Sequence, residues 1–341
     1  DANGTVLIGI NAGAALTSGA KNTVVGYQAG YKITDSDNIT YIGYGAGYYA
    51  TGAHNTAVGT EAYLGVDGST TGTDNSIFGY NAGHDLTTGH SNVLMGRDAG
   101  QNLTSGYQNI IIGPDAGETA TNLQNAILIG KRAGQDINSG VHGTIAIGTD
   151  ALTSLTSGAG NTAIGYEALL TEDTGGGNTA IGYQALKLNN KDSSTAGNTV
   201  IGYQAATAFT NHQRSTIIGY QAALSSDGGE NNNTIIGWQA GMSMNSNDAS
   251  NNVIIGKEAG TGGTGTLASA VIIGESAMNS TANHASTGQI AIGRNALTAL
   301  TSGGSNTAIG YLAGDALTTG NSNTIMGYNA FSSADGGEDR N

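Results

Sequence analysis

The sequence predicts an all-β fold, a parallel β-roll or β-solenoid of about nineteen turns with about 17 residues in each turn. Three observations predict this fold: an aliphatic-glycine step recurs along the whole chain, a short β-branched segment precedes many of these glycines, and the composition is unusual. The 341 residues include 57 Gly but only one Pro, three Phe and one Trp, and no Cys. This composition favours thin, stacked repeats over a wide core of large side chains.

The recurring step places one glycine, here called the repeat glycine, in each of nineteen copies. Successive repeat glycines are usually 17 residues apart and always between 16 and 20. Sharp turns and close backbone approaches accept glycine because it has no Cβ, so these residues are predicted turn positions. Representative turn glycines are Gly26, Gly165, Gly182, Gly202, Gly219 and Gly310.

Alignment of the copies on the repeat glycine shows three further regular positions. The residue before it is Ile, Val, Phe or Met in all copies, and the third residue after it is always Ala. Asn occupies the fourth position before it in twelve copies. Because Asn tolerates left-handed backbone and forms local hydrogen bonds, we expect these residues at corners of the coil.

Each copy contains one predicted strand and no hairpin. A helix would need a 3.6-residue apolar period over roughly 10 positions with little Gly, and this pattern is missing. The segments 216–218 and 271–273 are β-branched and lie between Gly or Asn residues, which is typical of strands. One strand per copy in a constant register predicts parallel stacking. We expect the extra residues of the longest copies, at 66–75 and 189–198, to form loops that leave the stack undisturbed.

Both faces of each predicted strand are apolar. Successive strand residues point to opposite faces, and the last two residues before the repeat glycine are apolar almost throughout. A coil has one interior, so the second face forms an apolar stripe larger than soluble monomers expose, which predicts closed, parallel self-association. We assign the structural core to the residue before the repeat glycine, represented by Ile8, Val25, Ile164, Ile181, Ile201, Ile218, Ile236, Ile255, Ile273, Ile292 and Ile309.

The charge balance argues against two classes of partner. Eleven Lys and Arg oppose 25 Asp and Glu, which gives a net charge of −14. Such a surface repels nucleic acid and anionic lipid. No apolar run approaches the ~20 residues of a spanning helix, so no membrane insertion is expected. Because residues 332–341 parallel 225–233, where a further strand follows, we expect 1–341 to be a single repetitive region cut from a longer fibre.

The segment 161–165, Asn-Thr-Ala-Ile-Gly, and its copies resemble the head repeats of YadA-type trimeric autotransporter adhesins, whose signature is close to Asn-Ser-Val-Ala-Ile-Gly. The longer form at 178–185, Asn-Thr-Ala-Ile-Gly-Tyr-Gln-Ala, is similar to repeats of phage and marine-bacterial tail-fibre-like proteins. The resemblance covers essentially the whole chain, although the 17-residue period exceeds the adhesin turn. It implies a left-handed roll, three parallel chains in one rod and binding to host surfaces. The anchoring and maturation functions of these families are not carried over, because their stalk and chaperone domains have no counterpart here.

The second position after the repeat glycine is Asn, Gln, Asp or Glu in fifteen copies. Stacking places these residues ~5 Å apart, which is also the carboxyl separation of retaining glycosidases. The pairs Asp98–Asp115 and Asp150–Glu167 are therefore either candidates for glycan cleavage or members of a hydrogen-bonded ladder. We favour the ladder, because a uniform column lacks the contrasting environments that separate an acid from a base.

The position after the repeat glycine is aromatic in ten copies, nine of them Tyr. Such a column serves either as a surface that stacks on sugars or as packing at a subunit seam, and we favour the seam. The aromatic ladder is represented by Tyr166, Tyr183, Tyr203, Tyr220 and Trp238.

No catalytic, cofactor-binding or metal-binding residue is predicted. The six His have no ligand spacing, and the Gly-rich segment 260–265 lacks the following Lys of a phosphate-binding loop. The acidic segments 35–37, 227–230 and 335–339 offer oxygen atoms for Ca²⁺ but match neither an EF-hand nor a nonapeptide repeat. No Cys and no Gly-x-Ser-x-Gly nucleophile motif is present.

These observations predict a non-enzymatic fibre shaft or adhesin-type protein of a virion tail fibre or extracellular filament. Its role would be a stiff homotrimeric rod that projects or attaches to a surface, with a cell-surface glycan or protein as receptor. Two alternatives are a tailspike-like polysaccharide depolymerase, which long loops around a groove would mark, and an ice-binding solenoid. An ice-binding face needs a flat Thr array, which Val93, Ile110, Val253 and Val271 interrupt.

Overall fold

The structure is a computed structural model that describes residues 3–138, 140–190, 196–226, 231–244, 249–261, 267–279 and 286–333. Within these ranges every regular element is a β-strand, and no helix occurs. Contacts divide the chain into two compact units, residues 1–164 and residues 165–341. Each unit is a parallel β-solenoid that advances by one strand per repeat, so the fold class predicted from the repeat is confirmed.

The first unit contains ten described strands of three residues, and consecutive strands within the unit pair in parallel. The first and third residues of a strand point to one face and the middle residue to the other. Because successive strands pair in the same register, equivalent residues form columns along the stack. The strands are β1 (Val6–Ile8), β2 (Thr23–Val25), β3 (Thr40–Ile42), β4 (Thr56–Val58), β5 (Ser76–Phe78), β6 (Val93–Met95), β7 (Ile110–Ile112), β8 (Ile127–Ile129), β9 (Ile145–Ile147) and β10 (Thr162–Ile164).

The second unit repeats this arrangement with nine described three-residue strands. A separate parallel pair, β16 (Leu267–Ala268) with β18 (Ser286–Thr287), lies in the segments between repeats. The main strands are β11 (Thr179–Ile181), β12 (Thr199–Ile201), β13 (Thr216–Ile218), β14 (Thr234–Ile236), β15 (Val253–Ile255), β17 (Val271–Ile273), β19 (Ile290–Ile292), β20 (Thr307–Ile309) and β21 (Thr324–Met326).

The longest repeats keep the strand register, as predicted. Thr56 pairs with Ser76 across the first insertion, and Thr179 pairs with Thr199 across the second. Within the first insertion, Thr70 Oγ1 accepts a hydrogen bond from the Val66 N–H at 2.7 Å, which closes the loop on itself. Residues 191–195 of the second insertion lie outside the described residues.

The interior of each unit is thin and is formed by the middle residue of each strand together with residues from the following turn. Val24 at the middle strand position, Ala29 at the invariant alanine position and Ile33 four residues later are all 0% exposed. The alanine position is uniform because this side chain points into the interior directly after the turn. Almost every described strand has its middle residue buried and the two flanking residues partly exposed.

The assignment of the core to the residue before the repeat glycine is wrong for the single chain. That residue ends each strand, and the alternation of side chains directs it away from the buried middle residue. Ile8 is 58% exposed at the first strand, and the equivalent residues of later strands are covered in part by their neighbours in the stack. These half-buried residues are Val25, Ile164, Ile181, Ile201, Ile218, Ile236, Ile255, Ile273, Ile292 and Ile309.

The repeat glycines are required for two reasons. All nineteen have φ between 127° and 144°, in a region that L-residues with side chains rarely adopt. In addition, a Cβ built on Gly219 would lie 2.2 Å from the carbonyl oxygen of Gly237 on the next turn. Gly26, Gly165, Gly182, Gly202 and Gly310 meet the next turn in the same way.

The recurring Asn has a different role from the predicted corner residue. The residue with left-handed backbone is the one before it, such as Ser91 with φ of 57°. Asn92 itself is 1% exposed, and its Oδ1 accepts hydrogen bonds from the Asn109 N–H at 3.1 Å and from Asn109 Nδ2 at 3.0 Å. Its Nδ2 donates to the Gly106 carbonyl at 2.9 Å. These residues therefore form a buried asparagine ladder that satisfies interior backbone groups.

Candidate assembly face and surface ladders

The outward residues of the strands form a surface that we call the strand face, defined by the first and third residues of the nineteen main strands. None of these residues is charged, although the chain contains 36 charged side chains. Ile42, Met95 and Ile110 are 38%, 43% and 38% exposed. The strand face is thus an uncharged surface, mostly of aliphatic and Thr side chains, that recurs at each main strand.

The aromatic residues after the repeat glycines stack along the surface. In the second unit, four successive ring pairs have centroid distances of 5.2, 5.1, 5.2 and 6.3 Å and interplanar angles of 16° or less. The Lys257 ammonium lies 5.6 Å from the centroid of the last ring. Each ring is between 40% and 45% exposed, so the ladder is open to a partner chain or to a ligand. Its members are Tyr166, Tyr183, Tyr203, Tyr220 and Trp238.

The polar residues at the second position after the repeat glycine form hydrogen-bonded chains, here called the amide ladder. In the second unit, the Nε2 of each Gln donates to the side-chain oxygen of the previous turn over distances between 2.8 and 3.1 Å. This chain runs through Glu167, Gln184, Gln204, Gln221 and Gln239. Stacking therefore brings these polar side chains close enough to form hydrogen bonds from one turn to the next, as the predicted ladder requires.

The carboxylates that resemble glycosidase pairs are held by basic residues. Arg97 contacts Asp98 and also donates to Asp115 Oδ2 at 2.8 Å, so one guanidinium bridges both carboxylates of this pair. Arg132 donates to both oxygens of Asp150 at 2.6 and 2.8 Å. One guanidinium contacts both carboxylates of the first pair, so this pair lacks the contrasting environments that separate an acid from a base.

Glu167, the remaining member of the candidate pairs, lies in the other unit from Asp150. Its carboxylate accepts from Lys187 Nζ at 2.6 Å and from Gln184. Burial raises the pKa of this carboxyl, but the hydrogen bonds from Lys187, Gln184 and Tyr166 outweigh burial and bring the pKa below its ordinary value. Glu167 is therefore ionised at neutral pH.

A cleft that sequence reasoning missed opens beside Gly45 and is here called the Gly45 cleft. Its volume is about 160 Å³, and Tyr44, Tyr48 and Tyr49 form its walls. Gln28 and Glu61 line it from the previous and the following turn. The sequence does contain a signal for this cleft, because Gly45 is the one glycine at an amide-ladder position.

The acidic segments differ in how much of them the structure describes. In segment 35–37, Asp37 Oδ1 accepts from the Ala20 N–H at 2.6 Å and Asp35 Oδ1 accepts from Thr34. The segments 227–230 and 335–339 lie outside the described residues. Among the described residues, no cluster of three or more His, Cys, Asp or Glu side chains has the arrangement of a metal site. The described part of the chain also holds no helix that could cross a membrane.

Fold and surface together define parallel β-solenoid units, each with an uncharged strand face, and the second unit carries an aromatic ladder and an amide ladder. Comparison of the chain with family models, curated protein sequences and solved structures gives no match. The resemblance to adhesin heads and tail-fibre repeats therefore rests on the repeated motif alone.

Proposed function

We propose that this chain forms the shaft of a fibre, an extracellular filament or virion tail fibre, by assembling in parallel with copies of itself. The strand face carries the proposal. It lacks charge in all nineteen main strands of a protein with a net charge of −14, and the third residue of each of these strands is apolar; a repeated apolar stripe of this kind marks an interaction site.

A second copy of the chain is the partner that fits this surface best. The outward residues recur once per turn, ~4.8 Å apart along the stack. A partner must present apolar groups at the same interval over many turns, and a parallel chain of the same repeat does so. Three chains around one axis, as in the adhesin heads that the motif resembles, would close the assembly without leaving a strand face exposed.

The proposed role is mechanical attachment. Within each unit, backbone hydrogen bonds between successive described turns and a buried column of side chains resist bending, so the assembly would project a distant end from a cell or virion surface. The segments between repeats vary in length and sequence, which leaves them available for contact with a receptor.

The experiment is a measurement of molar mass by light scattering after size-exclusion chromatography. We expect a mass three times the chain mass of 34.0 kDa. Ile218→Asp places a charge on the strand face and should reduce the mass toward that of one chain. Leu188, which is 39% exposed and belongs to no main strand, provides the matched control Leu188→Asp, which should keep the parent mass.

The milder variant Ile218→Thr introduces a side chain that the strand face already contains and should weaken assembly while the circular dichroism of the β-fold is retained. A parent protein that is a compact monomer at micromolar concentration would contradict the proposal. Equal masses for Ile218→Asp and Leu188→Asp would also contradict the strand face as the interface.

A further inference from the structure

The Gly45 cleft lies where the repeat departs from its pattern in several positions at once. Gly45 replaces the polar residue of the amide ladder, Tyr48 and Tyr49 follow on the same turn, and Tyr41 replaces an aliphatic residue in the interior. A Cβ on Gly47 would lie 2.4 Å from the Tyr41 ring, so this glycine makes room for the interior ring. Local departures from an otherwise consistent pattern are expected at functional sites.

The aromatic walls of the cleft are fixed by other rings. Tyr44 stacks on Tyr27 with centroids 5.5 Å apart and an interplanar angle of 13°. Tyr48 stacks on Tyr31 at 4.9 Å and 21°, and Tyr49 meets Tyr48 edge-on at 4.5 Å and 61°. Because these rings are already ordered, a ligand that binds between them pays little for immobilising side chains.

The polar groups of the cleft lack the hydrogen bonds that the amide ladder makes elsewhere. In the second unit the amide of Gln204, Gln221 and Gln239 donates to the Gln of the previous turn, but Gly45 has no side chain to join Gln28 with Glu61. Neither Gln28 nor Glu61 makes a side-chain hydrogen bond to another described residue. The cleft therefore offers a free amide and a free carboxylate on turns that are two steps, or ~9.6 Å, apart.

We propose that the Gly45 cleft binds one pyranose ring of a neutral cell-surface glycan. Its volume of about 160 Å³ suits a single six-membered ring, since a cavity of ~150 Å³ holds benzene. The C–H face of a sugar ring packs against the Tyr rings. The hydroxyls, which both donate and accept, bridge Gln28 and Glu61 in place of the missing ladder side chain.

The charge and the mixture of polar groups select this ligand over two others. The Glu61 carboxylate, in a chain with a net charge of −14, repels acidic sugars such as sialic acid. A quaternary ammonium would be attracted to the rings and to the carboxylate. It could form no hydrogen bond with the Gln28 amide, however, whereas a sugar hydroxyl bonds both polar groups.

The proposed glycan subsite specifies the ligand of the attachment role and rests on that proposed function. Glycan binding to the subsite, however, is measured separately from the assembly of the chains. The full chain is applied to an array of neutral, N-acetylated and sialylated oligosaccharides, and the dissociation constant of a retained glycan is measured by titration calorimetry. Choline is titrated as the test of a cation site. We expect retention of a neutral glycan and no competition by choline or by sialylated glycans.

Gly45→Gln is the decisive variant, because it restores the missing member of the amide ladder. The backbone accepts the change, since Gln28 has φ of 55° at the equivalent position and Gly45 has 63°. A Cβ on Gly45 would meet its nearest atom, Glu61 Cγ, at an ordinary distance of 3.6 Å. We expect Gly45→Gln and Tyr49→Ala each to weaken glycan binding at least tenfold.

The matched control is Gln221→Gly, which opens a gap in the amide ladder where Leu224 and Ser225 stand in place of Tyr48 and Tyr49, and which should leave glycan binding unchanged. Molar mass is measured for every variant. Lost binding with unchanged mass supports the subsite separately from the assembly proposal. A parent protein that retains no neutral glycan, equal binding by Gly45→Gln and the parent, or displacement of the glycan by choline would overturn the subsite.

Discussion

Substitution of a buried ladder asparagine tests how the interior is stabilised, and Asn92→Ala is the clearest case. The change removes the acceptor of the Asn109 N–H and the donor to the Gly106 carbonyl. Asn109 Nδ2 keeps its bond to the Leu123 carbonyl, so two buried backbone groups lose their partner. Each unpaired buried group costs ~1–3 kcal/mol, which gives a loss of about 2–6 kcal/mol in the free energy of unfolding.

The loss should be local as well as large. Repeat proteins are stabilised mainly by contacts between neighbouring repeats, so the turns on either side of Asn92 would open first. Hydrogen exchange followed by mass spectrometry should show faster exchange at Asn109 and Ile110, and urea denaturation should show the loss of stability. Asn102→Ala is the control, because Asn102 is half-buried and makes no side-chain hydrogen bond to a described residue.

We expect Asn102→Ala to change stability by less than ~0.5 kcal/mol, as is usual for surface substitutions. If Asn92→Ala and Asn102→Ala were equally stable, the buried hydrogen bonds would not explain why Asn recurs in twelve copies. The chain provides one internal comparison. Ala126 stands where other copies have the ladder asparagine, and its N–H still donates to Asn109 Oδ1 at 3.0 Å. Only the backbone groups of the following turn, which an asparagine side chain at this position would bond, lack this partner.

Three further predictions concern single side chains. Gly219→Ala should destabilise more than Gly68→Ala in urea denaturation, because both carry positive φ but only the Gly219 Cβ collides with the carbonyl of Gly237; equal losses would contradict the stacking requirement. Burial raises the pKa of the Glu172 carboxyl above its ordinary value, so the stability contributed by its protonated form is complete below the ordinary pKa and is lost as pH rises through the folded pKa. Glu172→Gln should therefore gain stability relative to the parent as pH rises, and parallel pH profiles would refute this. Arg97→Ala should cost less than ~1 kcal/mol in the same denaturation assay, because the side chain is 57% exposed; a larger loss would show a stronger network than the geometry indicates.

The repeat itself was predictable because its cause is local. A residue with φ near 140° and no room for a Cβ must be glycine, so Gly219 and its equivalents mark every turn in the sequence. A nearly constant interval between them implies one strand per turn in a fixed register, which Thr216 and Thr234 show by pairing directly. The polar ladder was predictable for the same reason, since stacking brings Gln204 and Gln221 together without any further information.

The inward face and the surface sites could not be read in this way. Alternation shows that Ile217 and Ile218 point in opposite directions, but it does not show which direction is inward. That choice depends on how the chain turns after the repeat glycine. There, residues with left-handed backbone such as Gln221 and Ala223 flank the invariant alanine, here Ala222, whose side chain is buried in the interior like that of the middle strand residue. The role of the buried Asn likewise depends on the backbone of the following turn.

The sequence by itself therefore determined the period, the strand of each turn, the parallel stacking, and the aromatic and amide ladders, because each follows from one residue position repeated along the chain. The tertiary structure alone decided that Ile218 faces outward while Ile217 is buried, and that Tyr44, Tyr48 and Glu61 surround one cleft. The physical reason is that both features arise between chain segments whose positions depend on the path of the backbone around the coil, which the periodic pattern does not encode.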